Sequence, residues 1–284
     1  MVTRAGLVQS AGYPDNPLRH GNSTGLISSR SRIKWEIWLI LGVSLGRSAV
    51  YSIIQLVGRL TDDLPLSDQF AELNPSRSPR PYLDLALQLY NIIFPLVPVV
   101  LALYFLLLRP NARPLRETLG LDWRDRSFGW SKRIARDWLW GFAFFIGVGV
   151  PGLLFYYFGR YLGITVAVHA SALPTHWWTI PVLILSAFQN GALEEVIVVG
   201  YLYCRTQDLG WSQNGLDWKF LLFSALLRGS YHLYQGVGPF FANFAMGLLF
   251  AWWFQSRFGN RRIMPLVIAH TLIDIVVFVG YQGL

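Results

Sequence analysis

The sequence predicts an all-α, polytopic transmembrane helix bundle with a polar site inside the membrane. Hydrophobic residues make up 53% of the 284 positions and charged residues only 14%, against roughly 25% charged in an ordinary soluble domain. The apolar residues gather in runs of about 20, the length that crosses a hydrocarbon core of roughly 30 Å. Paired acids and histidines interrupt the later runs. A soluble enzyme, a disordered chain and a secreted disulfide scaffold are excluded. A single cysteine, Cys204, allows neither an internal disulfide nor a cysteine metal cluster.

Taken in order, residues 1–33 are polar, with Pro, Ser and Arg throughout. They read as a disordered cytoplasmic tail without a signal-peptide pattern, so the first span would act as its own insertion signal. Seven spans follow at about 35–59, 82–108, 138–159, 178–204, 218–235, 239–256 and 263–281, or eight if a half-helix lies in 160–177. Gly42 and Gly46 in the first run match both a GxSxG elbow and a GxxxG packing face. An apolar helix favours the packing face. The stretch 109–136 mixes arginines with Leu115, Trp123, Phe128 and Trp130, and reads as a basic interfacial segment on an anionic leaflet. The chain thus divides into a tail at 1–33, N-terminal helices with this segment at 34–136, and a core at 137–284.

The net charge of +8 lies in loops beside the apolar runs. That placement points to lipid headgroups and membrane orientation, with no nucleic-acid partner. With the N-terminus in the cytoplasm, eighteen of the 24 basic residues fall on the inner side and three outside. The expected location is therefore the plasma membrane, multi-pass, N-terminus in.

Glu194 and Glu195 sit together in the fourth run, Arg228 and His232 in the fifth, and His270 and Asp274 in the seventh. Each charge near the bilayer centre costs roughly 2.5–3.5 kcal/mol on insertion scales, so these groups must converge and pair inside the bundle. Arg228 and His232, His270 and Asp274, and Asn190 and Glu194 are each four apart, which puts each pair on one helical face. Two adjacent carboxylates need a proton or a cation close by. A water held between Glu194 and His232 could be activated for attack on a peptide carbonyl. A Zn²⁺ ion on Glu194, His232 and His270 is the alternative chemistry, although no HExxH is present.

The segments EEVIVVGYL, RGSYH and HTLID, in that order on three late helices, resemble the CPBP family of intramembrane proteases. This family comprises the type II CAAX prenyl endopeptidases and their bacteriocin-processing and lysostaphin-resistance-like relatives. Its pattern is EExxxR, FxxxH and Hxxx(N/D), and the similarity covers roughly 137–284. The resemblance implies a helical bundle with an intramembrane site open toward the cytoplasm, acting on a peptide or membrane-protein substrate. It makes Glu194 the group that activates water and Glu195 its brace. His232 would hold the water, and His270 with Asp274 would polarise the carbonyl or hold the leaving group. Val199 stands where the family usually has Arg, and Arg228 where it usually has Phe. Arg228 is therefore expected beside the glutamates as their cation, with Asn190 as a second supporting residue. The competing classes are a non-catalytic immunity or scaffold protein that keeps the fold, and a proton-coupled transporter.

Overall fold

The computed structural model describes residues 29–109, 112–122, 129–211 and 215–282. Most of the polar tail, and Trp123 and Phe128 of the basic segment, lie outside them. The first run folds as α1 (Ser29–Gly42) and α2 (Leu45–Leu60), bent by 54° at the break, so helix begins a few residues before the expected end of the tail. Gly42 has open space where a Cβ would be, and the nearest atom to that position on Gly46 is the Leu41 carbonyl oxygen at 2.8 Å. The two glycines therefore mark the bend. They do not form the helix-packing face that their spacing suggested.

Next come a short strand β1 (Phe70–Glu72), then α3 (Pro81–Ile93) and α4 (Val97–Leu107), joined through a 3₁₀ turn at Phe94–Leu96. Pro95 and Pro98 remove two backbone donors there, which accounts for the tightened turn. The single turn α5 (Leu115–Thr118) precedes α6 (Trp130–Tyr161), and β2 (Ala167–His169) follows. No half-helix forms over 160–177. That link instead carries β2, which runs parallel to β1 with Phe70 opposite Ala167 and Glu72 opposite His169. Then α7 (Thr179–Glu194), a π-helical stretch (Glu195–Tyr201) and α8 (Leu202–Asp208) make one continuous rod. The chain closes with α9 (Trp218–Ser230), a 3₁₀ turn (Leu233–Gln235), α10 (Val237–Gln255) and α11 (Met264–Gln282).

Among the described residues, four helical runs are long and apolar enough to cross a membrane: Pro81–Leu107, Trp130–Tyr161, Thr179–Asp208 and Val237–Gln255. The bent pair α1–α2 makes a fifth if it counts as one span. The structure thus supports four or five spans where seven or eight were expected. Helix α9 has 13 residues, about 20 Å at 1.5 Å per residue, short of the roughly 30 Å hydrocarbon core. Large apolar side chains such as Trp38, Ile54, Leu139 and Leu154 are exposed around the outside of the bundle. With the long apolar helices, this exterior marks a membrane protein.

The rod α7–α8 is the centre of the packing, and every residue from Glu194 to Thr206 is buried. Helix α11 packs against both α7 and α6, while α9 and α10 pack on each other and against the rod. Gly191 permits the closest approach of α7 to α11. A Cβ there would meet the Thr271 hydroxyl at 2.7 Å and the Val267 carbonyl at 3.1 Å. Gly236 does the same for the turn after α9: its φ of 109° is in the glycine region, and its backbone bridges to Thr165.

Ion pairs hold the other end of the rod. Arg205 donates to Glu36 on α1 at 2.5 Å, to Asp208 at 3.1 Å and to the Phe105 carbonyl at 2.8 Å, and Arg109 pairs with Asp208. Just before α11, Arg262 forks onto both oxygens of Asp137 at 2.6 and 2.7 Å and onto Asp122 at 2.9 and 3.2 Å.

Candidate active site

The rod, α9 with its following turn, and α11 meet at one buried polar cluster. The glutamates are adjacent in sequence, and the helix changes from α to π between them. The i→i+5 winding of a π segment changes the angular offset of neighbouring side chains, a distortion that recurs at functional sites. Here it lets both carboxylates reach one guanidinium. Nη2 of Arg228 lies 2.8 Å from each oxygen of Glu195, and Nη1 lies 3.3 Å from Oε2 of Glu194. Arg228 is completely buried, and its guanidinium also lies 5.6 Å from the Phe250 ring centroid. A charge so placed is tolerable only because it is paired.

His270 joins from α11, with Nδ1 2.7 Å from Oε1 of Glu195. An ionised carboxylate only accepts, so Nδ1 carries the proton and donates. Nε2 of the same ring then faces Asp274 Oδ1 at 3.9 Å, while Asn190 donates to the other Asp274 oxygen at 3.1 Å. His232 approaches from the turn after α9, with Nε2 3.9 Å from Glu194 Oε2, and neither ring nitrogen has a hydrogen-bond partner. All seven residues singled out in the sequence therefore lie in this cluster or adjoin it.

One member had not been singled out. The Tyr231 hydroxyl donates to Oε2 of Glu194 at 2.6 Å, and both residues are buried. Tyrosine beside a histidine near the end of an apolar run reads as an interfacial anchor or core filler. The available signal was its spacing of three from Arg228, which places both near one helical face.

The two carboxylates differ in their bonding. Glu195 has no solvent exposure, and its oxygens receive Arg228 on both and His270 on one. Glu194 receives Tyr231 and Arg228 on Oε2 alone, leaving Oε1 without a donor among the described residues. Donor atoms of Glu194, Glu195 and His270 lie within 4.8 Å of one another, a spacing that could suit a metal ion. The Arg228 guanidinium takes that position, however, and His270 Nδ1 is committed to Glu195. A set of Glu194, His232 and His270 fares no better, with Glu194 Oε2 3.9 and 4.0 Å from the two imidazoles. Ligands sharing a Zn²⁺ with bonds of about 2 Å sit closer together than that. As arranged, these donors bond to one another and to Arg228, and a metal would need them to shift by a fraction of an ångström and give up those bonds.

The fold and this cluster define a helical membrane protein with a buried carboxylate, histidine and arginine centre, the equipment of a hydrolase. Residues 176–276, which carry the whole cluster, match the family model described as Type II CAAX prenyl endopeptidase Rce1-like. The match agrees with the family that the motifs resemble, and that family implies a protease. Neither the immunity or scaffold reading nor the transporter reading gains support from the match. No curated protein and no solved structure matches the chain.

Proposed function

We propose that the protein is an intramembrane endopeptidase of the CAAX type that cleaves a peptide bond with a water activated by Glu194. The observation that carries this reading is the asymmetry of the glutamates. A general base needs a free lone pair, which Glu194 keeps at Oε1, whereas both Glu195 oxygens are occupied. Glu194 takes a proton from the water as its oxygen adds to the scissile carbonyl carbon. His232, with both nitrogens uncommitted, holds the water or the developing oxyanion from the facing turn. The carbon–nitrogen bond then breaks, and the proton passes from Glu194 to the departing amine.

Glu195 and Arg228 act as a brace: the guanidinium balances the acids and fixes their geometry without reaching the substrate. His270 is held by Glu195 and faces Asp274, and once protonated on Nε2 as well as Nδ1 it can polarise the carbonyl or donate to the leaving group. The separation of 3.9 Å between His232 and Glu194 is normal for a resting site that tightens around substrate. The orientation with the basic loops in the cytoplasm, and a plasma-membrane location, belong to the same proposal and rest on the charge asymmetry.

The test uses the full-length protein reconstituted in liposomes and an internally quenched peptide whose prenylated cysteine is followed by three residues. Cleavage between the cysteine and the first of those residues, lost in Glu194→Gln and unaffected by chelators, supports the reading. Undiminished cleavage in Glu194→Gln would remove that residue from the mechanism.

A further inference from the structure

We propose that Tyr231 is a positioning residue of this centre, fixing Glu194 so that only Oε1 is presented as the base; the inference rests on the hydrolase reading above. The Tyr231 hydroxyl lies 2.6 Å from Glu194 Oε2, closer than the 3.3 Å of Arg228 Nη1 to the same oxygen. A hydroxyl donating to a carboxylate is among the shorter and stronger hydrogen bonds. Two donors on one oxygen set the plane of the carboxylate and leave the other oxygen bare. Without the hydroxyl, Arg228 alone would hold Glu194, through its longer contact, and the carboxylate could turn about its terminal torsion.

Tyr231 is itself held from outside the matched domain. Its carbonyl accepts from the buried Ser52 hydroxyl of α2 at 2.8 Å, across 179 residues of sequence. Its ring centroid is 4.9 Å from that of His232. The residue that orients the base is thus in contact with the neighbouring histidine, and both ride on a turn pinned by the first span. Tyr231 touches no reacting atom, because the hydroxyl is spent on the oxygen that does not act.

Tyr231→Phe keeps the ring and removes only the hydroxyl. With the prenylated peptide in liposomes, kcat should fall by about 10- to 100-fold, the scale of a base displaced by a fraction of an ångström to an ångström. KM should stay within twofold, the melting temperature should hold, and the acid limb of kcat against pH should move. An unchanged kcat overturns the inference, and so does a fall in kcat accompanied by an equal loss of folded protein. A second measurement does not depend on turnover. The infrared carboxylate band that vanishes in Glu194→Gln should shift in Tyr231→Phe, and an unshifted band also overturns the inference. If the wild type cleaves nothing while the band shifts, the hydrolase reading fails and the contact between Tyr231 and Glu194 stands.

Discussion

Arg262 and Arg228 each hold a pair of carboxylates, and their two clusters are built to different standards. Arg262, just ahead of α11, bonds Asp137 through both oxygens and Asp122 through both, and Arg133 adds a contact to Asp122 at 2.8 Å. Arg228, in the middle of the bundle, saturates Glu195 but meets Glu194 through one oxygen only. Around it Glu194 Oε1, both His232 nitrogens and its own Nε have no hydrogen-bond partner among the described residues. A cluster whose every oxygen is matched can only hold elements together. Unmatched acceptors and imidazoles in a buried setting cost stability, and they persist where chemistry uses them. Completeness of bonding, more than burial or charge, separates the Arg262 anchor from the proposed site around Arg228.

That contrast can be broken or sharpened by substitution. The largest effect is expected from Glu194→Gln, which should cut turnover by about 10²- to 10⁴-fold, the usual worth of a general base. Its melting curve should match the wild type. Next is Arg228→Ala, which strands two buried acids and should cost about 3–5 kcal/mol of stability along with all activity. Thermal melts in detergent combined with the peptide assay test both halves of that statement. Arg262→Ala should destabilise as well, but the protein that remains folded should turn over at the wild-type rate. A specific activity that collapsed in Arg262→Ala would erase the distinction between the clusters. A smaller change is expected from Asp274→Asn, which keeps the shape beside His270; kcat should drop by no more than about tenfold.

The smallest effect concerns pH at the anchor. Burial pushes the Asp122 carboxyl up, yet the hydrogen bond and charge of Arg262, with Arg133 beside it, hold it below the usual carboxylate value. Arg262 is correspondingly held above its own usual value by its hydrogen bond to Asp137, against burial. A carboxyl lowered in the folded state adds stability that is complete above the unfolded value of about 4 and is lost as pH falls through the folded one. Asp122→Asn should therefore melt lower than wild type at pH 7, by at most about 1 kcal/mol. The difference should close as pH falls well below the usual carboxylate value, and a gap that persisted in strong acid would show that Asp122 acts through packing.

Much of the helical architecture was legible in the sequence because burying a charge in lipid is so expensive. Six ionisable groups in three late runs had to converge, and the spacing of four fixed which faces they shared. The span count was not legible in the same way. Helix α9 stops at Ser230, where the chain turns to present Tyr231 and His232, and hydropathy alone cannot tell that turn from continued helix. The three-residue strands β1 and β2 are too short to show alternation. The π stretch is a run of Val and Ile, indistinguishable from any buried helix. Asp122 and Asp137 were hidden differently, since their partner Arg262 is more than a hundred residues away. Tyr231 escaped because its ring suits the core, and only its hydroxyl is informative.

The bend in the first span has a further consequence. Helix α1 reaches α8 through Glu36 and Arg205, while α2 reaches the turn after α9 through Ser52 and Tyr231. A straight rod could have clasped one of these places or the other. The kinked one touches two places inside the matched segment, at Arg205 and Tyr231, although it lies more than a hundred residues ahead of that segment in sequence. Boundaries drawn at 176 and 276 enclose the polar cluster and leave out the helices that brace it, so that segment grafted onto another membrane anchor should carry its seven polar residues and lose their alignment.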